Sequence, residues 1–557
     1  MKAIKIKTIV VLTLLFQMTS CMDLNELNIS PNSPVDVSSN YILTHVLSGT
    51  AKLYNNLGEP YSSVSGVMQY YQMGTNEAAS SVNQYLWPRG SWAEYYENLR
   101  NVKIINEKSK TENNKFFEAI SLVLRAFIYG TITDLFGDAP YSESLLASEG
   151  IYFPKYDEQK YIYKGILEDL KKSSQILADP GISAYKIDAN ADILYKGNPD
   201  KWLKFANSLR LRYCMRVFNK KDEMSKLGID IVSEFNNASA YAFTSNDDEA
   251  FVSYLGIAAE NSAPGGPLNE ANPNFRTKPC RTIVDTLISR NDPRLQRWVM
   301  PVQRKWDYQV TSIVDKSVKT IFGEIYTVKY IPTTNQVIDT SLWVGLPQNM
   351  NVVDLLNYNK GDDIAAYHPE RSPYISFLHP RYRENIGTYI RMDLMMYSEV
   401  EFLLAEAAQK AIFSVTGAED HYKKGIIASM KRWGIVDGTG GFNFNAYYDN
   451  PKVSYNSASN KLERIIDQKW VSLWLEVESW FDWRRTGYPV LITGPVTQYG
   501  PAMPLRFMYP LPNPDAKYLV NYDEAVNRLE TTSYVPAGQS KDHTYSKMWL
   551  LQGTNKP

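Results

Sequence analysis

Apolar residues recur every three to four positions through much of this chain, and that spacing predicts helices. Over 92–105, Trp92, Tyr95, Tyr96, Leu99, Val102 and Ile105 fall on one face. Phe117, Ile120, Leu124, Phe127 and Ile132 repeat the pattern over 116–132. Asn198 and Pro199 open 199–218 as a cap and a first-turn proline, with Trp202, Phe205, Leu209 and Cys214 or Met215 turned inward. Tyr397, Val400, Leu403, Leu404, Ala407, Ala408 and Ala411 form another stripe. Leu462, Ile465, Trp470, Leu473, Trp474, Val477 and Phe481 form a last one over 461–481, and 41–57 and 160–177 carry weaker versions. Large aromatics against small alanines at this spacing are how paired helices stack in solenoids. No strict repeat of about 34 residues runs through the chain, so the pairs are irregular.

Long Gly-, Pro- and Asn-rich stretches separate the helices, notably 58–91, 255–280 and 330–390. Loops of that length inside a compact domain are usually functional. Within 305–332 the alternation of TIFGEIYTVKYI predicts one small β-hairpin. The expected fold is mainly α: an irregular, TPR-like superhelix of helix pairs with long loops and that hairpin. No Pro/Gly/Ser linker or charge block divides it, so residues 41–557 are expected to form a single domain despite their length.

The first residues follow a different order. Lys2, Lys5 and Lys7 precede or open an apolar core, Ile9 to Phe16, and Thr19 and Ser20 lead into Cys21. That is the order of a secretory signal peptide, expected over 1–20, and its core is too short to span a hydrocarbon layer of ~30 Å. The cysteine after the small pair makes the segment resemble a bacterial lipobox, in which Cys21 is acylated and becomes the mature N-terminus. Acyl chains contribute roughly 0.8 kcal/mol per buried CH₂, so two or three hold a domain on a membrane. The competing reading is an ordinary cleaved signal with an incidental cysteine. Residues 21–40, rich in Asn, Ser, Pro and acidic residues, read as the lipidated tether. Asp23 and Glu26 behind the acyl site resemble a surface-export signal of Bacteroidetes lipoproteins, with plain linker chemistry as the alternative.

Charge and metal-ligand chemistry narrow the function chiefly by exclusion. The 59 basic and 60 acidic residues nearly cancel, and no basic stripe suggests nucleic acid. Five widely spaced histidines make no transition-metal cluster, and no Asp-rich loop has calcium-ligand spacing. Cys214 and Cys280 are open to either a disulfide or two thiols. No nucleophile elbow, phosphate loop, zincin motif or dinucleotide fingerprint occurs, so no catalytic residues and no cofactor are expected. Glu399 and Glu406 share a helix face but make a weak acid–base pair. The aromatic content is more telling: Tyr 39, Phe 20 and Trp 12 together make 13% of the chain. Tyr and Trp join a flat apolar face to a hydrogen-bonding edge, which matches the C–H face and polar rim of a sugar ring.

Six segments carry a family resemblance. They are LRAFIYGTITDLFGDAPYSES (124–144), NPDKWLKFANSLRLRYCMRV (198–217), NDPRL (291–295), MMYSEVEFLLAEAA (395–408), IIDQKWVSLWLEVESWFDWRRTGYP (465–489) and PLRFMYPLPNP (504–514), with Asn521 and Tyr522 after them. In these the chain resembles the SusD/RagB family of outer-membrane nutrient-binding lipoproteins, in its SusD-like branch. Met18 and the Lys547-Met548-Trp549 ending depart from the family pattern. The resemblance implies a non-catalytic capture protein anchored in the outer membrane and exposed at the cell surface. It would act as the lid of a TonB-dependent, SusC-like transporter, with oligosaccharide as cargo and peptide as the alternative. Without the family, Asp482, Arg484 and Arg485 beside Trp470, Trp474 and Trp480 read as buried ion pairs or stacked cations, both structural.

The family's ligand contacts lie in variable loops, so binding residues are read from chemistry. Aromatics and amides outside the periodic faces are the candidates: Tyr71, Gln72, Tyr85 and Trp87 in the 58–91 stretch, then Trp343 and Asn351 in the central one. Rings would stack on pyranose faces while amides bridge hydroxyl pairs. An exported glycoside hydrolase and a ligand-free scaffold are the rival classes.

Overall fold

The computed structural model describes residues 37–59, 62–74, 81–269, 276–363 and 371–554. Cys21, the signal segment and nearly all of the expected tether lie outside the described residues.

Helices carry the architecture. They are α1 (Ser39–Asn56), α2 (Ala93–Thr111), α3 (Lys115–Phe136), α4 (Gln159–Leu177), α5 (Pro199–Arg216), α6 (Ile231–Ser239), α7 (Arg281–Arg290), α8 (Tyr397–Lys410), α9 (Ala418–Arg432), α10 (Lys461–Ser472) and α11 (Glu478–Thr486). From α1 to α6 each packs on the next, giving the expected TPR-like array, and α8, α9 and α10 form a second layer that meets α5 through α8. Caps set the starts: the Asn114 side chain accepts from the N–H groups of Phe116 and Phe117, and that of Asn198 from those of Asp200 and Lys201. Gly137 ends α3 at φ 93, where a side chain would be strained. Among the described residues α3 alone is long and apolar enough to cross a membrane, and 94% of its apolar window is buried inside the bundle. It is the central core helix, apolar all round because neighbours surround it.

Charged residues knit the layers together. Arg212 of α5 reaches Glu399 of α8 at 2.7 Å, and Arg216 binds Asp134 of α3 at 2.6 Å and also Glu478 of α11. Arg485 joins Glu406 at 2.5 Å and Asp482 at 2.7 Å, and Lys469 meets Asp482 at 2.6 Å. Arg484 lies 4.0 Å from the Trp480 ring centre. Glu399 and Glu406, on one face of α8, are thus each occupied by a different arginine.

The strands are short: β1 (Tyr71–Met73), β2 (Ala250–Ser253), β3 (Thr277–Pro279), β4 (Arg304–Asp307), β5 (Val314–Lys319), β6 (Ile325–Pro332) and β7 (Arg391–Met395). β1 pairs antiparallel with β3, and β2 with β7. β5 and β6 form the expected hairpin, and β4 adds to β6 in parallel. Cys214 and Cys280 are free, buried thiols.

One predicted helix needs correction. The 461–481 stripe is broken between α10 and α11, where Leu475 adopts φ 62. The apolar period continues across the break, because Leu473, Trp474 and Val477 are buried on either side of it.

Candidate functional site

The C-terminus of α7 builds one wall of an open groove. Asn291 closes the helix in the left-handed conformation at φ 53, a cap that asparagine tolerates. Asp292 and Arg294 follow with fully buried side chains. Arg294 Nη2 donates to Asp292 Oδ2 at 2.6 Å and Nε to Oδ1 at 2.9 Å, a bidentate fork. The Tyr447 hydroxyl donates to the same carboxylate at 2.7 Å, and Arg294 Nη1 donates to Ser429 Oγ at 2.8 Å. Burial opposes the charge on Asp292, but Arg294 outweighs it and holds the carboxyl below its usual range. This locked turn presents Asn291 and Gln296 to a groove of about 520 Å³.

The other walls are Trp343 and the Gly440–Phe442 turn. Backbone bonds pin the Trp343 segment on both sides: Val302 N donates to Leu342 O at 2.9 Å, and Ser376 N to Val344 O at 2.9 Å. Gly440 stands at φ 54, and a Cβ there would lie 2.1 Å from Ile321 O. Only glycine lets that turn lie against the hairpin tip. Gln296 Oε1 accepts from Ile321 N at 2.9 Å, tying the tip to the α7 wall. The indole N–H of Trp343 is buried without an acceptor, so the part of the ring that reaches the groove is carbon. Among the described residues the Asn291 side-chain amide and the Gln296 NH₂ have no internal partner. The groove therefore offers two ring surfaces, Trp343 and Phe442, and two unengaged amides. Asp292, its one lining carboxylate among the described residues, is consumed by Arg294.

The expected platform in 58–91 is corrected by the structure: Tyr71, Gln72, Tyr85 and Trp87 are all interior. Tyr71 lies on β1 and its hydroxyl donates to Ser62 O at 2.7 Å. Gln72 Nε2 donates to Tyr71 O at 2.8 Å while its oxygen accepts from Asn349 N at 3.1 Å. Tyr85 is buried at φ 59. Trp87 packs on Phe507 and Trp480 at centroid distances of 4.6 and 5.0 Å. Ring-on-ring packing has taken these side chains into the core. Asn351 is half-buried and caps a short helix, Val352–Asn357, accepting from Asp354 N at 2.8 Å. Of the six, the structure places Trp343 in the groove. It brings to Trp343 three residues the sequence reading did not select: Asn291, Gln296 and Phe442. Their meeting with Trp343 depends on long-range packing.

A model of the SusD-like group, described as "Starch-binding associating with outer membrane", matches residues 31–340 and 344–510. The chain belongs to the SusD-like family. Solved SusD-like structures share its fold. A SusD homologue of Bacteroides fragilis is 24% identical over 93% of this chain and 99% of that one, with a TM-score of 0.66. An outer membrane protein of Bacteroides vulgatus, described as involved in nutrient binding, is 23% identical over 93% and 100%, with a TM-score of 0.69. A chitin-binding protein is 24% identical over 92% and 99%, with a TM-score of 0.67. No curated protein matches the chain. For this SusD-like protein, a nutrient-binding role associated with the outer membrane follows from the family.

Proposed function

We propose that this SusD-like protein captures oligosaccharides at the cell surface and passes them, uncut, to a partner TonB-dependent, SusC-like transporter. It would be held on the outer membrane by acyl chains on Cys21. The observation that carries the reading is the groove at Trp343: ring carbon on two sides, with the free amides of Asn291 and Gln296 between locked walls. Stacking holds the apolar face of a sugar, and amides reach paired hydroxyls.

Hydrolysis of a glycosidic bond needs two carboxyl groups about 5–10 Å apart across it. The groove's Asp292 is ion-paired below the surface and stands without a second carboxylate among the described lining residues. This supports capture without catalysis. The linked chitin-binding relative and the family description favour a polysaccharide fragment over a peptide.

The test is incubation of the purified protein with starch- and chitin-derived oligosaccharides, followed by binding and reducing-end assays. Saturable binding with no new reducing ends is expected, and membrane extracts should yield a β-barrel transporter bound to the protein. New reducing ends, or capture of peptides alone, would overturn the reading.

A further inference from the structure

The break between α10 and α11 delivers a carboxylate that the fold leaves without a partner. Leu475 holds a left-handed backbone, φ 62, which branched L-residues rarely adopt. Gly58 packs against it so closely that a Cβ there would lie 2.0 Å from Leu475 O and 3.0 Å from Glu476 Cα. The next side chain, Glu476, lines a separate cavity with roughly 60 Å³ open to water-sized groups, on the order of four times what a single water needs. Four rings also line it. Trp474 Nε1 donates to Tyr382 OH at 2.8 Å, and Tyr389 stacks on Trp433 with centroids 5.9 Å apart.

The charges around this cavity do not balance. Arg391 bridges Glu249 at 2.5 Å and Asp393 at 2.7 Å, and Arg432 adds to Asp393 at 3.0 Å. Both arginines are thus ion-paired to other carboxylates, although each keeps a buried Nε without a hydrogen-bond partner among the described residues. Glu59 accepts from Asn55 and, at 3.2 Å, from the Tyr254 hydroxyl, but has no cation among the described residues. Among the described residues Glu476 has neither an ion pair nor a hydrogen bond to its carboxylate. Burial pushes both carboxyls up, and for Glu476 the nearby charges of Asp393 and Glu59 add to it against the opposing pull of Arg432.

We propose that this cavity is a binding site for a primary ammonium group on a short flexible stem, seated between Glu59 and Glu476 with the Trp474 and Tyr382 rings beside it. An ammonium supplies what the cavity lacks. Aromatic walls attract cations, a half-buried carboxylate without a cation gains from an opposite charge, and the three N–H donors suit two carboxylates at once. An anion would meet two unpaired acids, and a neutral hydroxyl would leave them uncompensated. The site is independent of the groove at Trp343.

Binding favours the charged form of the carboxyls, so it releases protons and strengthens as pH rises while the amine itself stays protonated. Of the other groups facing the cavity, Tyr254 and Tyr382 are pushed up by burial and stay neutral. Asp393 stays ionised because Arg391 and Arg432 outweigh its burial. Glu249, also raised by burial, is held by Arg391 and is absent from the cavity wall, so the pH response of the cavity wall is carried by Glu59 and Glu476.

Calorimetry on the full chain in detergent tests this with butylamine and Nα-acetyl-lysine amide, both still protonated at the higher pH, at pH 6 and pH 8. We expect saturable binding of at least one amine, tighter at pH 8 than at pH 6 and lost on N-acetylation of that amine. Glu476→Gln should weaken it tenfold or more, and Glu59→Gln provides the same test should the first variant fold poorly. Trp343→Ala should leave it unchanged. The amine bound most tightly identifies the source as a peptide lysine or a simple alkylamine. No binding of any amine, equal binding of the acetylated form, or wild-type binding by both glutamine variants would overturn the proposal.

Discussion

Asp292 and Arg294, two residues apart and both fully buried, close a bidentate ion pair at 2.6 and 2.9 Å. The pair converts the end of α7 into a rigid wall for the groove at Trp343. Removing one member leaves the other as a buried charge, which costs about 3–5 kcal/mol. Arg294→Ala should therefore lower the unfolding free energy from urea titration by that amount and loosen the groove. Arg294→Lys keeps the charge but loses the planar fork, and should still cost over ~1 kcal/mol. Unfolding curves that match wild type would contradict this role.

Gly440 offers a test of the groove's shape. Alanine there meets both the positive φ and the Ile321 carbonyl. Gly440→Ala should destabilise by about 1–3 kcal/mol and weaken oligosaccharide binding together with it. Gly438→Ala, at a φ of 88 but with open space around its Cβ, should cost stability while leaving affinity near wild type. Calorimetry of both variants separates strain from lost groove shape.

Glu476 should be a liability for stability at neutral pH. Its folded carboxyl is raised above its unfolded value by burial first, then by Asp393. The folded state thus holds its proton more tightly, and stability falls as pH rises through the folded value. Glu476→Gln should raise the unfolding free energy at pH 8 by about 0.5–2 kcal/mol, with the gain shrinking toward pH 4. A destabilised variant at pH 8 would contradict the assignment.

His379 acts on the acid side. Burial, then the neighbouring Arg381, lowers it to about 4 against the partial support of Glu324, 3.1 Å away. The unfolded chain binds this proton near pH 6.5, so stability is complete above that value and declines as pH falls toward 4. His379→Gln should flatten the midpoint between pH 6.5 and 4, by a few kcal/mol at most.

The buried thiols give a simple chemical check. Burial pushes Cys280 up to about 12 and Cys214 higher. Both should resist a thiol reagent at pH 8 in the native protein and react fully in denaturant. An acylated Cys21 would add no third thiol.

The helices were legible because their apolar faces follow the 3.6-residue period, and caps such as Asn198–Pro199 marked their starts. The break at Leu475 was not, since no glycine or proline marks it and the apolar period continues through it. Site residues were harder for a related reason. Tyr71, Tyr85 and Trp87 look alike in sequence to Trp343, yet three pack into the core and one lines a groove. Aromatic composition announces ring contacts without saying whether the partner is another ring or a ligand. Asn291, Gln296 and Phe442 converge on Trp343 through contacts spanning much of the chain, which local pattern does not encode.

The central claim is that the carbon face of Trp343 holds a sugar. Titrating a bound oligosaccharide into wild type and Trp343→Ala by calorimetry tests it most directly. Loss of one stacked ring should weaken affinity about tenfold or more, at 1–3 kcal/mol, with the melting temperature nearly unchanged. Equal affinity in the two proteins would contradict the account.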